Sequence, residues 1–162
     1  MITKTIFLDF DGVLNSHLFY AKGRPTKIED HIDESAVSRL NSLIQSTDAK
    51  IVVTSVWRNS RTVKELQELL TRNGFVGEVV GKTKNLQIGE DGDCILRGNE
   101  ILCWMKNNKD LIGADYWEYH NYVILDDDSD MLYWQRNNFI HVDPWCGLTP
   151  NTIFRAEKLL NS

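Results

Sequence analysis

The stretch Phe7–Ser16, FLDFDGVLNS, joins a short apolar run to two carboxylates one residue apart. Thr3–Leu8 reads as a buried strand: short, β-branched and aromatic, and stopped by Asp-Gly. Asp9 and Asp11 then stand at its carboxyl end. If the chain is still extended there, alternate residues share a side. Both carboxylates then face one pocket, while Phe10 turns into the core. Gly12 lets the chain turn without a Cβ clash.

Two more fully apolar runs follow the same plan. Lys50–Ser55 (KIVVTS) ends in Thr54 and Ser55, with Trp57 and Arg58 just beyond. Asn121–Leu125 (NYVIL) ends in Asp126, Asp127, Asp128 and Asp130. Shorter strands are expected over Glu78–Gly81 and Phe139–Val142. Helical periodicity lies between them. Asp33 caps a helix carrying Val37, Leu40, Leu43 and Ile44 on one face, and Ser60 caps one carrying Val63, Leu66, Leu69 and Leu70, stopped at Gly74. Glu100–Asn107 reads as a helix. Ser129 or Asp130 opens a short helix with Leu132 and Tyr133, and a last helix follows Pro150. Asn15–His31 reads as a loop or flap, and Thr83–Cys94 as irregular. Strands apolar along their whole length, alternating with helices, predict an α/β fold with a mainly parallel sheet covered on both faces. In such sheets ligands bind beyond the carboxyl ends of the strands.

The residues at those ends therefore converge. Two unit charges about 4 Å apart repel by ~1 kcal/mol in water and by ~4 kcal/mol at an effective dielectric near 20. The carboxylates must stay partly protonated or hold a cation between them. Hard oxygen ligands suit Mg²⁺, and hydroxyls with strand-end amides suit phosphate. Taken singly, Asp9–Gly12 is an ordinary turn, Asp126–Asp130 a solvated helix start and Arg58 a surface residue. Their joint placement after three different strands points to phosphoryl transfer.

These residues resemble the haloacid dehalogenase-like (HAD) superfamily of phosphohydrolases. LDFDGVL is similar to its first motif, DxDx[TV]; IVVTS to its second, a strand ending in Thr or Ser. RGNEILCWM offers Arg97 for the third, a basic residue opening a helix, and VILDDDSD fits the acidic fourth. The TSVWR and VDPWCGLT segments look like a short, capless subgroup, some members of which accompany nucleic-acid repair modules. The resemblance implies a three-layer Rossmann-like core without a large cap and a Mg²⁺-dependent phosphohydrolase acting through an aspartyl-phosphate. It implies Asp9 as nucleophile, Asp11 as general acid/base, and Thr54, Ser55 and Arg97 as phosphate ligands. Metal would be held by Asp9, Asp11 (through its carbonyl), Asp126 and Asp127. Lys82 and Lys84 compete with Arg97 for the basic role, and Asp128 or Asp130 with Asp127 around the metal. The alternatives are a phosphotransferase of the same fold and a non-catalytic phosphate- or Mg²⁺-binding module, which would have no need of the second acid.

At 162 residues, 42% of them hydrophobic, the chain is expected to form one domain, 1–162, with residues 15–31 as its flap. The net charge of −5 gives no general attraction for nucleic acid or anionic membrane. Lys22, Arg24 and Lys27 nevertheless form a basic lip on the flap. An open cleft with no large cap admits a large phosphorylated substrate, such as a nucleic-acid end, a phosphoprotein or a sugar-phosphate chain, and a small molecule if the flap or an oligomer partner closes the site. Cys94, Cys103 and Cys146 are odd in number and lack zinc spacing, as in a reducing cytoplasm. No signal-peptide or membrane-spanning pattern is expected. The five tryptophans read mainly as core, with Trp57 able to stack on a substrate ring.

Overall fold

A computed structural model describes residues 2–86, 95–113 and 115–162. Five strands form one sheet: β1 (Thr5–Leu8), β2 (Lys50–Val53), β3 (Val79–Lys82), β4 (Tyr122–Asp126) and β5 (Phe139–His141). Their order is β3-β2-β1-β4-β5, and every pairing is parallel. The expected α/β class and parallel sheet are thus present. β1 is central. The chain builds outward to β3 on one side, then crosses to β4 on the other. That reversal places a crevice at the carboxyl ends of β1 and its neighbours.

Burial on both faces explains the continuous apolar strands. Ile6, Leu8, Ile51, Val53, Val123 and Leu125 face one layer. That layer holds α2 (Glu34–Thr47), α3 (Val63–Arg72) and α6 (Pro150–Leu160). Phe7, Val52 and Ile124 face the other, against Ile101, Trp104 and Met105 of α4 (Arg97–Asn107) and Ile112 of α5 (Lys109–Ile112). The paired registers Phe7 with Val52 and Phe7 with Ile124 keep like faces aligned across three strands. Phe10 is buried as expected.

Residues 15–31 hold only a short helix, α1 (His17–Ala21), and one 3₁₀ turn at Ile28–Asp30. They form no separate lid.

Two local expectations are corrected. The helix expected from Ser60 begins two residues later, because Thr62 and Glu65 form a reciprocal capping box. No α-helix opens at Ser129 or Asp130. There the Asp130 carbonyl and carboxylate bind the amides of Gly98 and Arg97. Residues 129–132 form no helix, Leu132 is extended, and a 3₁₀ turn follows at Tyr133–Asn137. The same contact lets α4 start at Arg97, three residues before the expected Glu100. Cys94 and most of the stretch expected to be irregular lie outside the described residues.

The cap assignment is testable by chemical denaturation. Thr62→Ala should cost about 1 kcal/mol, and Ser60→Ala less than about 0.5 kcal/mol. The reverse ranking would return the cap to Ser60.

Candidate active site

Strand register builds the site. Leu8 pairs with Val53 and with Leu125. The Asp9 amide donates to the Leu125 carbonyl at 3.0 Å, and the Thr54 amide to the Leu8 carbonyl at 2.9 Å. Asp9 and Thr54, one step past β1 and β2, and Asp126, the last residue of β4, therefore stand side by side at the ends of three adjacent strands. All three are buried. Asp127 joins them: carboxylate oxygens of Asp9, Asp126 and Asp127 lie within 4.8 Å of one another. Gly12 permits this approach. Its φ is +73°, and a Cβ there would sit 2.3 Å from Asp127 Oδ2.

Burial pushes the Asp9 carboxyl above its ordinary range, against the pull of Arg97, the Phe10 amide and the Ser55 hydroxyl. Asp126 is raised by burial and then by the charge of Asp9, with Arg97 opposing. Asp127 is raised by burial and by its neighbour Asp128. Arg97 Nε stands 3.5 Å from Asp126 Oδ2. Among the described residues, Thr54 Oγ1, Arg97 Nη1 and Asp126 Oδ2 are buried without a hydrogen-bond partner. A hydroxyl, a cationic donor and a carboxylate oxygen thus stay unsatisfied at one place, where such groups are costly unless a ligand meets them. An all-carboxylate donor set with raised proton affinity fits a hard divalent cation such as Mg²⁺. The Thr54 hydroxyl and the Nη1 of Arg97, both without a hydrogen-bond partner, fit phosphate.

Asp11 is turned elsewhere. Its exposed carboxylate accepts from Asn15 Nδ2 at 2.8 Å and from Trp57 Nε1 at 3.0 Å. The side chain thus stands outside the three-carboxylate group, at the rim. Of the rival cations, Lys82 donates to the main-chain carbonyls of Arg58 and Arg61, and Lys84 is exposed. Arg97 alone of the three is ion-paired to the acidic cluster. Asp128 is exposed. Asp130 instead caps α4 and so aims Arg97. Ser55 touches Asp9 and caps the turn at Val56–Arg58.

Arg58 is not a surface residue. It is buried in an ion pair with Glu100 at 2.6 Å. Glu100 and the indole donor of Trp57 escaped the motif-based reading. The available signal was the helical spacing Arg97-x-x-Glu100, which places both on one face of α4.

A parallel sheet with carboxylates crowded at its switch point, beside a strand-end threonine and a helix-start arginine, defines a HAD-like domain. The chain belongs to the family described as the HAD domain in Swiss Army Knife RNA repair proteins, which it matches over residues 5–153. No curated protein and no solved structure matched.

Raised carboxyls carry a sign. Without metal, Asp9 and Asp126 hold protons in the folded chain that they have lost in the unfolded one. Their stabilising contribution is complete below about pH 4, where free carboxyls titrate, and is lost as pH rises through the folded values. Metal-free protein should therefore melt lower at about pH 8 than at about pH 5, and added Mg²⁺ should raise the melting temperature more at the higher pH. Calorimetry checks this; equal Mg²⁺ shifts at both values would contradict it.

Proposed function

We propose that this chain is a Mg²⁺-dependent phosphomonoesterase, acting through an aspartyl-phosphate on the phosphorylated end of a nucleic-acid strand. One observation carries the reading: the Asp9–Asp126–Asp127 cluster lies beside Arg97, with unpaired donors and acceptors around it. The family match to RNA repair proteins supports the substrate class. We take residues 1–162 to act as one such domain, in a reducing cytoplasm that suits the free Cys103 and Cys146. Among the described residues, no helix is long and apolar enough to cross a membrane.

The division of labour follows from placement. An Asp9 carboxylate oxygen attacks phosphorus, and the bond to the leaving oxygen breaks. Asp11, held at the rim by Asn15 and Trp57, gives that oxygen a proton. It then takes one from the water that attacks the phospho-Asp9. Inorganic phosphate leaves, and both carboxyls return to their starting states. Thr54, Ser55 and Arg97 hold the phosphoryl oxygens. Asp9, Asp126, Asp127 and the Asp11 carbonyl would hold Mg²⁺. When bound, that ion supplies the positive charge that lets a carboxylate approach a phosphate dianion.

The rim suits a strand end. Lys22, Arg24 and Lys27 are exposed on the segment that leaves the Asp9–Gly12 turn. Exposed Trp145 lies 5.8 Å, centroid to centroid, from the His17 ring. Cations interleaved with rings are how single strands are gripped.

Asp9→Asn should abolish phosphate release from a panel of nucleotides, sugar phosphates, phosphopeptides and 3′- or 5′-phosphorylated oligonucleotides, with the fold intact by circular dichroism. A wild type inert on the whole panel would favour the binding module. Charge reversal at Lys22, Arg24 and Lys27 should lower kcat/KM for phosphorylated oligonucleotides at least ~10-fold, while a small aryl phosphate is turned over as before. Equal losses on both would remove the lip from substrate guidance.

A further inference from the structure

Arg58 and Glu100 lie outside both the acidic cluster and the phosphate cradle, yet their side chains are only 3% and 1% exposed. Every guanidinium nitrogen of Arg58 is used. Nε donates to the Thr83 carbonyl at 3.0 Å, and Nη1 to the Thr54 carbonyl. Nη2 donates to Glu100 Oε2 at 2.6 Å and to the Lys84 carbonyl at 3.4 Å. Glu100 Oε1 accepts from the Leu86 amide at 3.0 Å, and its Oε2 lies 4.0 Å from Arg97 Nη1. Arg97 in turn meets Asp126. Charge therefore alternates along one row: Asp126, Arg97, Glu100, Arg58, then the strand-end carbonyls of Thr54 and Thr83.

Stability alone does not account for this row. Taking two charges out of water offsets most of their attraction, and apolar residues of similar volume often serve the fold as well or better. An apolar pair cannot aim its neighbours. The Arg58 fork turns the Thr54 carbonyl toward itself, and in a trans peptide that points the Ser55 N–H the opposite way. Glu100 holds Arg97 Nη1 at the edge of ion-pair range without a hydrogen bond, leaving that donor for another acceptor. A lysine at 58 would keep the charge and lose the planar fork that spans Thr54, Thr83 and Glu100 together.

We infer that Arg58 and Glu100 are a positioning pair: they set the Thr54–Ser55 peptide and the Arg97 guanidinium where a transferring phosphoryl group is received. The inference rests on the phosphohydrolase reading above. It assigns a task to the Trp57-Arg58 end of the second strand segment that the four motifs leave unassigned.

The test compares wild type with Arg58→Met/Glu100→Leu, Arg58→Lys and Glu100→Gln, by melting temperature and by steady-state kinetics on a small aryl phosphate with Mg²⁺. The double apolar variant should melt within a few degrees of wild type, while kcat falls by about 100-fold and KM changes far less. Arg58→Lys should fold and still show most of that loss in kcat. A folded double variant, or Arg58→Lys, turning over at the wild-type rate would overturn the inference. If the double variant does not fold, Arg58→Lys and Glu100→Gln decide it by the same criterion. Should wild type release no phosphate from any substrate, the phosphohydrolase reading fails by itself. The pair is then judged on the thermal shift given by inorganic phosphate with Mg²⁺: loss of the shift in Arg58→Lys supports the inference. A retained shift, or none in wild type, overturns it.

Discussion

Three carboxylates within 4.8 Å of one another face a single guanidinium, and the rest of the site is arranged around that crowding. Asp9 and Asp126 are buried, so water cannot screen them. At about 4 Å and an effective dielectric near 20, each like-charged contact costs ~4 kcal/mol. The fold tolerates this because the strands that present the two residues are fixed by other forces. β1 is paired on both sides and buried on both faces, as is β4. The apolar layers hold the strand ends in register whether or not their carboxylates are content there. The strain then appears as raised proton affinity, which favours any cation entering the cluster.

The neighbouring devices limit that strain. Gly12 leaves room for Asp127, which would otherwise overlap a Cβ. Asp130 binds the first amide of α4 and so sets where Arg97 begins its reach. The i,i+3 contact of Arg97 with Glu100 carries the charge pattern away from the cluster into the sheet edge, where Arg58 ends it on carbonyl oxygens. Asn15 and Trp57 hydrogen-bond the Asp11 carboxylate, whose charge still adds to the push on Asp127.

Much of this was legible in the sequence because the strands are apolar throughout. Runs such as IFL, KIVV and YVIL mark central parallel strands, and the residues just past them mark the ligand end of the sheet. Asp9, Thr54, Asp126 and Asp127 were found that way, Arg97 came from the family resemblance alone, and the structure brings the acidic residues and Arg97 together. What escaped depends on side-chain direction rather than on position along the chain. Extended geometry put Asp11 on the same side as Asp9, but the Gly12 turn and the Asn15 and Trp57 donors draw it to the rim. Arg58 passed for a surface residue because its partner, Glu100, is forty-two positions away. The helix expected at Ser129 or Asp130 failed for a similar reason: helical propensity is local, while Asp130 is held by amides of α4.

If Asp9 is the nucleophile, as proposed, its burial on an acidic body also constrains what can react. Asp9 lies at the floor of the crevice, buried with its neighbours. A terminal phosphate monoester presents three free oxygens and can be lowered onto that floor by its one substituent. An internal diester must bring chain in on both sides of its phosphate. The net charge of −5 repels a polyanion at long range. Screening, however, confines that repulsion to about 8 Å at physiological salt. Within that distance, what a strand end would meet on the proposed reading is the exposed lip of Lys22, Arg24 and Lys27, with Arg24 over the Tyr20 ring. On the proposed reading, repulsion by the whole body and attraction at one rim would together favour an end over an interior segment, without any cap to enforce the choice.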